Sequence, residues 1–251
     1  MNIKLDINLS LSLSLMHELG VEIVRGKYNS ENFPTEAELF RSLSISRGVV
    51  REAIKMLESK GMLISKQNQG IVLRSTSDWN LLDADILSWV LDNPNVELIG
   101  ELLQFQMNIE ATAAGLAAKS EFRIDDMASV PLILQKLENP LLSTEQITKE
   151  VANFHSAILN ASRNPFFCSL EKITKISVYA NSEYFSHLQK TSFASYIAIY
   201  NAIINGDGVL ANLTVNSLFK SMIAILDAKC VSNIARGHLV GDYSRNLYET
   251  I

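Results

Sequence analysis

The chain has 251 residues, a formal net charge of −5 and a hydrophobic fraction of 47%. That length and composition allow two domains, each with an apolar core of its own. The two cysteines, Cys168 and Cys230, have neither the spacing of metal ligands nor that of a disulfide framework, which argues against a cysteine-stapled fold and against a zinc cluster.

The N-terminal run MNIKLDINLSLSLSLM alternates Leu and Ser and has some likeness to an export signal. Asp6 interrupts this run, however, and no A-x-A cleavage site follows it. No stretch approaches the roughly twenty continuous apolar residues that a membrane-spanning helix needs. We therefore expect a soluble, cytoplasmic protein that does not enter a membrane.

Residues 33–74 have the pattern of two short helices, a longer basic helix and a β-hairpin. Thr35 and Glu38 have the spacing of a capping box, and Ser46 is a good N-cap for the basic helix. Gly61 can end that helix, and β-type runs follow at 62–65 and 71–74. This order of elements predicts a winged helix-turn-helix.

The basic helix has two separate faces. Arg47, Arg51 and Lys55 stand at i, i+4 and i+8 and so form one row. The apolar stripe of the same helix lies about 110° away around the axis and consists of Val50, Ala53, Ile54 and Leu57. One face can therefore pack against the domain while the cationic row enters a DNA groove.

The distribution of charge supports this interpretation better than the net charge does. Residues 41–74 contain seven Lys or Arg and two Asp or Glu, whereas residues 78–251 contain twelve and nineteen. The tip of the hairpin is polar, with Gln67, Asn68 and Gly70, and suits a minor groove. We therefore expect double-stranded DNA as a partner of the first domain and not of the second.

Residues 78–228 have apolar positions at helical spacing throughout, which predicts an all-α bundle. The predicted stripes are Leu98, Leu102, Phe105, Ile109 and Leu116; Ile147, Val151, Phe154 and Ile158; and Ala211, Val215, Leu218, Met222 and Ile225. The predicted domains are therefore 1–77 and 78–228, with a linker near 75–83. We expect the tail, 229–251, to be poorly ordered.

The stretch PTEAELFRSLSISRGVVREAIKMLESKGML, with a wing ending in GIVL, resembles the DNA-binding domain of the GntR superfamily of bacterial transcription regulators. The resemblance implies that Arg47 and Arg51 contact operator bases. An Arg that often stands between the two Glu of the second helix is Ala37 here, so the operator sequence is not implied. The full set of predicted DNA contacts is Thr35, Ser46, Arg47, Arg51, Lys55, Gln67, Asn68 and Gly70.

The segments IEATAAGLAA, ANFHSAILNASRNPFF and IYNAIINGDGVLA resemble the all-helical effector domain, called FCD, of the FadR subgroup. The connecting segment DWNLLDADILSWVLDN is similar to that of repressors of galactonate utilisation. The resemblance implies a homodimer that binds an inverted-repeat operator. It also implies a small-molecule effector, often a sugar acid, that changes the operator affinity.

Many FCD domains hold a divalent metal through an Asp four residues before a His, together with two later His. This chain keeps His155, but Val151 stands at the Asp position, and Tyr196 and Leu218 align with the other two His. The Arg that commonly faces an effector carboxylate is Gln106. We therefore predict that the domain works without a metal or another cofactor.

The predicted effector pocket contains Gln106, Asn153, His155 and Tyr196, and it suits a neutral or weakly acidic polyol-like ligand. Each of three side chains also has a purely structural interpretation. His155 can be a hydrogen-bonded core histidine, Tyr196 can be aromatic packing, and Gln106 can be an exposed or interhelical amide.

Three functions remain open from the sequence. The first is a repressor that responds to a ligand, and the second is a DNA-binding dimer whose helical domain has lost sensing. The third is a metal-independent enzyme, which is disfavoured because the chain has no nucleophile elbow, P-loop or dinucleotide fingerprint. A gel shift separates the first two from the third, and titration of that shift with ligands separates the first from the second.

Overall fold

The computed structural model describes residues 10–29, 32–66, 70–92, 96–182 and 193–235. These residues form two compact units, which divide between residues 93 and 94. The first unit is a winged helix-turn-helix and the second is helical, so the predicted fold class is confirmed.

The first unit consists of helices α1 to α4 and one β-hairpin. Its elements are α1 (Leu11–Val24), α2 (Glu36–Leu43), α3 (Arg47–Ser59), β1 (Leu63–Lys66), β2 (Gly70–Leu73) and α4 (Ala84–Leu91). The capping box of Thr35 and Glu38 and the N-cap at Ser46 are present as predicted. Gly61 follows α3 with φ +82°, a left-handed conformation that glycine adopts without strain.

The prediction of two short helices within 33–74 is wrong, because α2 alone precedes α3 there. The first helix of the motif is α1, which lies in the Leu/Ser run that begins the chain. Leu15, Leu19 and Ile23 stand at i, i+4 and i+8 and are buried in the core of the unit. Ser12 and Ser14 are buried as well, so the alternation of Leu and Ser concealed a helical face.

Helix α4 belongs to the first unit, although the sequence assigned residues 78–93 to the helical domain. Trp89 is buried in the same core as α1, and its indole Nε1 donates a hydrogen bond of 2.8 Å to Nδ1 of His17. The Lys60 ammonium, next to the end of α3, donates to the carboxylates of Asp83 at 2.8 Å and Asp85 at 2.7 Å. The beginning and the end of α4 are therefore both fixed to this unit.

The second unit contains the helices α5 to α12. They are α5 (Val96–Lys119), α6 (Arg123–Asp126), α7 (Val130–Leu137), α8 (Thr144–Ala161), α9 (Pro165–Ser169), α10 (Glu171–Ala180), α11 (Phe193–Ile204) and α12 (Gly208–Ala235). Helix α12 continues seven residues past 228, where the sequence predicted the poorly ordered tail to begin. The rest of the predicted tail, 236–251, lies outside the described residues.

Helix α5 packs along α12, and α8 and α11 complete the core around them. The predicted stripe of α5 is displaced from the buried face, since Leu116 is 40% exposed. The buried residues of α5 are Ile99, Leu102, Leu103, Gln106, Glu110, Ala111, Ala113, Ala114, Ala117 and Ala118. The buried face was not predicted because it contains two polar residues and several alanines, which do not stand out as a hydrophobic stripe.

Among the described helices, the segment Gly208–Ala228 of α12 is long and apolar enough to cross a membrane by length and composition. The sequence analysis expected no such segment, because it required an uninterrupted apolar run. Ala211, Val215 and Leu218 of this segment are buried against other helices of the unit. One helix of this kind is weak evidence, so this is not a convincing membrane span.

Candidate functional site

The exposed face of α3 carries the predicted cationic row. Arg47, Arg51 and Lys55 are exposed. The other face is buried in the core of the first unit and consists of Val50, Ala53, Ile54 and Leu57. The three cations are therefore free of the core and can approach a phosphate backbone or a base edge.

Side chains of helix α2 contact the guanidinium groups of Arg47 and Arg51. The Arg47 guanidinium lies 5.3 Å from the centre of the Phe40 ring. Nη2 of Arg51 lies 3.4 Å from Oε2 of Glu36, and both of these side chains remain substantially exposed. Such exposed contacts are weak and can be exchanged for contacts with DNA.

The predicted contacts Thr35 and Ser46 are exposed N-cap residues, and their hydroxyl oxygens accept from the backbone N–H groups of Glu38 and Val49, each at 3.3 Å. Gly70 begins β2 with φ +75° and is exposed. The predicted contacts Gln67 and Asn68 lie outside the described residues. The described strands pair in the antiparallel register expected of a wing, from Leu63 with Leu73 to Lys66 with Gly70.

The second unit contains a small cavity with a volume of about 20 Å³, which is the room of about one water molecule, and most of its lining is apolar. Its polar lining consists of Gln106, His155, Asn181 and Tyr196. Its apolar lining consists of Leu103, Val151, Val178, Phe219 and Met222. Three of the four predicted pocket residues are thus brought together.

Asn153, the fourth predicted pocket residue, is half-buried and does not line the cavity. It lies two residues before His155 on α8, a separation that turns a side chain by about 200° around a helix axis. Asn153 therefore points away from the cavity that His155 lines. We therefore remove Asn153 from the candidate site.

Gln106 is an interhelical amide, one of the alternatives that the sequence left open. Its side chain is 3% exposed. The Ser177 hydroxyl of α10 donates to Oε1 of Gln106 on α5 at 2.8 Å. The same hydroxyl accepts from Nδ2 of Asn181 at 3.2 Å. Ser177 and Asn181 were missed because no local pattern links them to Gln106 across about seventy residues.

His155 lines the cavity and is also a hydrogen-bonded core histidine. Its Nδ1 is bonded to Oε2 of Glu110, a carboxylate that is fully buried. Because Glu110 engages Nδ1, only the other ring nitrogen, Nε2, is left for a further hydrogen bond. Glu110 was missed as a site residue, although it is the Glu of the IE pair in the FCD resemblance.

Tyr196 packs beside His155, with its ring centre 6.2 Å from the imidazole. Its side chain is 2% exposed. Burial, and secondarily the charge of Glu110, raises the pKa of Tyr196 well above its ordinary value. Tyr196 is therefore a neutral phenol at physiological pH and adds no charge to the cavity.

The side chains around His155 do not fit a divalent metal. No group of three or more His, Cys, Asp or Glu with metal-binding geometry occurs among the described residues. Nδ1 of His155 is engaged by Glu110, while Val151 lines the cavity as an apolar group and Leu218 is buried in the core. Such a donor set is too small for a transition-metal site.

Comparison with known proteins identifies both units. Residues 11–73 match the family described as "Bacterial regulatory proteins, gntR family", and residues 101–221 match the FCD domain. The solved structure of Lar, described as controlling expression of the Listeria monocytogenes agr system, aligns with a TM-score of 0.61. It is 18% identical and covers 88% of this chain and 98% of its own, a likeness that shows the fold alone.

Two curated relatives come from Escherichia coli K12. The galactonate operon transcriptional repressor is 30% identical over 59% of this chain, and the match spans only 65% of that repressor. The HTH-type transcriptional regulator YieP is 29% identical over 84% of this chain and 94% of its own length. With its GntR helix-turn-helix domain followed by an FCD domain, the chain belongs to the GntR family of DNA-binding transcription regulators.

Proposed function

We propose that this regulator is a repressor that binds its operator as a homodimer. Its affinity for the operator changes when a small metabolite binds in the helical unit. The observation that carries the proposal is the exposed row of Arg47, Arg51 and Lys55 on a helix whose opposite face is buried. The names of the relatives support repression, since one is a repressor of the galactonate operon. Such a protein works in the cytoplasm, where the chromosome lies.

The DNA contact is tested by comparing two substitutions on the same face of α3. Arg51→Ala should cost about 1–3 kcal/mol on the specific operator and relax the preference at one position of each half-site, because an arginine can read a guanine edge with two hydrogen bonds. Lys55→Ala is the matched control and should weaken binding to all sequences alike. A competition gel shift measures both, and unchanged affinity and preference in Arg51→Ala would contradict the assignment.

The dimer follows from the size of one winged helix, which contacts too few base pairs for tight binding by itself. Two copies related by a twofold axis should read an inverted repeat with a fixed spacing between half-sites. Nuclease footprinting should therefore protect both halves of a palindromic site. Protection of a single half-site, with a monomer at micromolar concentration by light scattering, would count against the homodimer.

The effector is the least constrained part of the proposal. The polar lining of the cavity and the absence of Lys or Arg from that lining favour a neutral or weakly acidic metabolite, such as a sugar or a derivative of a sugar acid. Titrating the operator gel shift with sugars, polyols and sugar acids, with and without EDTA, tests this directly. A shift that no compound alters would favour the alternative of a dimer without sensing.

A further inference from the structure

Two buried amides that line the cavity each use only one of their two polar atoms. Gln106 and Asn181 are both 3% exposed and both line the cavity. Nε2 of Gln106 and Oδ1 of Asn181 have no hydrogen-bond partner within the described part of the chain. A buried polar atom without a partner is costly, so these two atoms mark a place where a ligand can gain affinity.

The Ser177 hydroxyl between these amides fixes what they offer. Ser177 is fully buried, donates its one proton to Oε1 of Gln106 and accepts from Nδ2 of Asn181. The free atoms are then the amide nitrogen of Gln106, which donates, and the carbonyl oxygen of Asn181, which accepts. Reversing both amides together would exchange these roles and still leave one donor and one acceptor. Reversing only the Gln106 amide would leave the Ser177 proton without an acceptor. Reversing only the Asn181 amide would place its carbonyl oxygen against the Ser177 oxygen.

An alcohol hydroxyl matches this pair, since it accepts one hydrogen bond and donates another. A carboxylate only accepts, so it would satisfy Gln106 and set a negative oxygen against the carbonyl of Asn181. The lining supplies no Lys or Arg to offset that cost, and Tyr196 is neutral. The volume of about 20 Å³ also fits a group of the size of one hydroxyl.

We propose that this cavity is a recess for one hydroxyl group of an uncharged polyol or sugar, and that Ser177 is the positioning residue that gives the recess its preference for alcohols over carboxylates. The inference rests on the proposed function, in which this cavity is the effector site. It adds that the part of the ligand that enters the recess is a hydroxyl and not an acid group.

The experiment uses the full chain and two probes of one carbon skeleton, 1,4-butanediol and succinate, whose oxygen groups are all alcohols in the first and all carboxylates in the second. Ethylene glycol with oxalate extends the matched set, and galactitol and xylitol are added as longer uncharged polyols. Thermal-shift titration should give alcohols at least about tenfold tighter apparent binding than the matching acids, because one unpaired buried atom costs about that much.

Ser177→Ala should weaken binding of the best alcohol about tenfold and reduce the difference in affinity between alcohol and acid. Without the serine hydroxyl, nothing fixes one amide as the free donor and the other as the free acceptor. The matched control is Ser156→Ala, which also removes a buried hydroxyl, one that donates to the carbonyl of Ala152 in its own helix. Ser156→Ala should leave both affinities unchanged. If Ser177→Ala does not fold, Asn181→Ala replaces it in the test. Asn181→Ala removes the acceptor and should give the same loss of alcohol binding.

Three results would overturn the inference: no binding of any alcohol in the set, equal or tighter binding of the acids, or equal effects of Ser177→Ala and Ser156→Ala. A gel shift run in parallel separates this failure from that of the proposed function. Alcohol binding with the expected Ser177 effect supports the recess even where operator affinity does not change, and the unchanged affinity then contradicts only the sensing role. A wild-type protein that binds no DNA sequence specifically would contradict the proposed repressor function. That result would leave the proposed hydroxyl recess unaffected.

Discussion

Gly20 is the position in α1 at which a single methyl group should reveal how α4 is docked. A Cβ built on Gly20 would lie 2.3, 2.5 and 2.6 Å from three carbons of the Trp89 ring. The ring has little freedom to move away, because Trp89 is 4% exposed and its indole N–H is bonded to His17. Gly20→Ala therefore forces either α4 or the indole out of place.

The expected magnitude follows from two opposing effects. Alanine in a helix interior is normally more stable than glycine by about 0.5–1 kcal/mol. Overpacking of a filled core costs about 1–3 kcal/mol, so Gly20→Ala should destabilise the first unit by about 1–2 kcal/mol. In a Trp89→Ala background, which itself costs about 3–5 kcal/mol, the methyl meets open space. There Gly20→Ala should be neutral or stabilising.

Tryptophan fluorescence during urea unfolding is a suitable assay, because both tryptophans of the chain, Trp79 and Trp89, lie in the first unit. The signal thus reports on that unit within the full chain, and Trp79 remains as the reporter after Trp89→Ala. The double-mutant cycle should give a coupling of about 1–3 kcal/mol between the two positions. The same loss for Gly20→Ala in both backgrounds would refute the docking of Trp89 on Gly20.

Two further predictions concern the same unit. Burial alone would raise the pKa of Asp83, but hydrogen bonds from Lys60 and from backbone N–H groups outweigh it and hold that pKa below its ordinary value. The stabilisation is therefore present above the ordinary Asp pKa and is lost as the pH falls through the lowered one. Lys60→Met should destabilise the unit by about 1–2 kcal/mol at pH 7. The loss of stability should be smaller below pH ~4. Urea titrations that give the same loss at both pH values would contradict the ion pair. A fragment of residues 1–93 should unfold cooperatively by circular dichroism and a fragment of 1–77 should not, because the shorter one lacks α4; equal melting of the two would restore the boundary near 77 that the sequence suggested.

The features that sequence analysis predicted well are local ones. The capping box that begins α2, the Ser46 cap and the turn at Gly61 each depend on a few neighbouring residues. The two faces of α3 were predictable for the same reason, since an amphipathic pattern of 13 residues defines its own buried side. Such features do not require knowledge of what packs against them.

The features that were missed depend on contacts between distant segments. Helix α4 has an apolar sequence that suits either unit, and its contacts with α1 and with Lys60 assign it to the first. On α5 the buried face includes Gln106 and Glu110, whose partners Ser177 and His155 come from other helices. Nothing near Gln106 or Glu110 in the sequence indicates that an amide and a carboxylate are buried there, so hydrophobic spacing indicated a stripe displaced from the buried face.

The polar groups of the cavity also limit how a ligand there can act on the protein. Glu110 and His155 join α5 to α8, and Gln106 and Ser177 join α5 to α10. A hydroxyl bonded to both Gln106 and Asn181 would add one more bridge between α5 and the end of α10. A ligand shifts a conformational equilibrium only by its difference in affinity for the two states. Under the proposed function, such a ligand would therefore favour the state in which the end of α10 stays against α5, and a state with α10 withdrawn would lose the acceptor and its affinity for an alcohol.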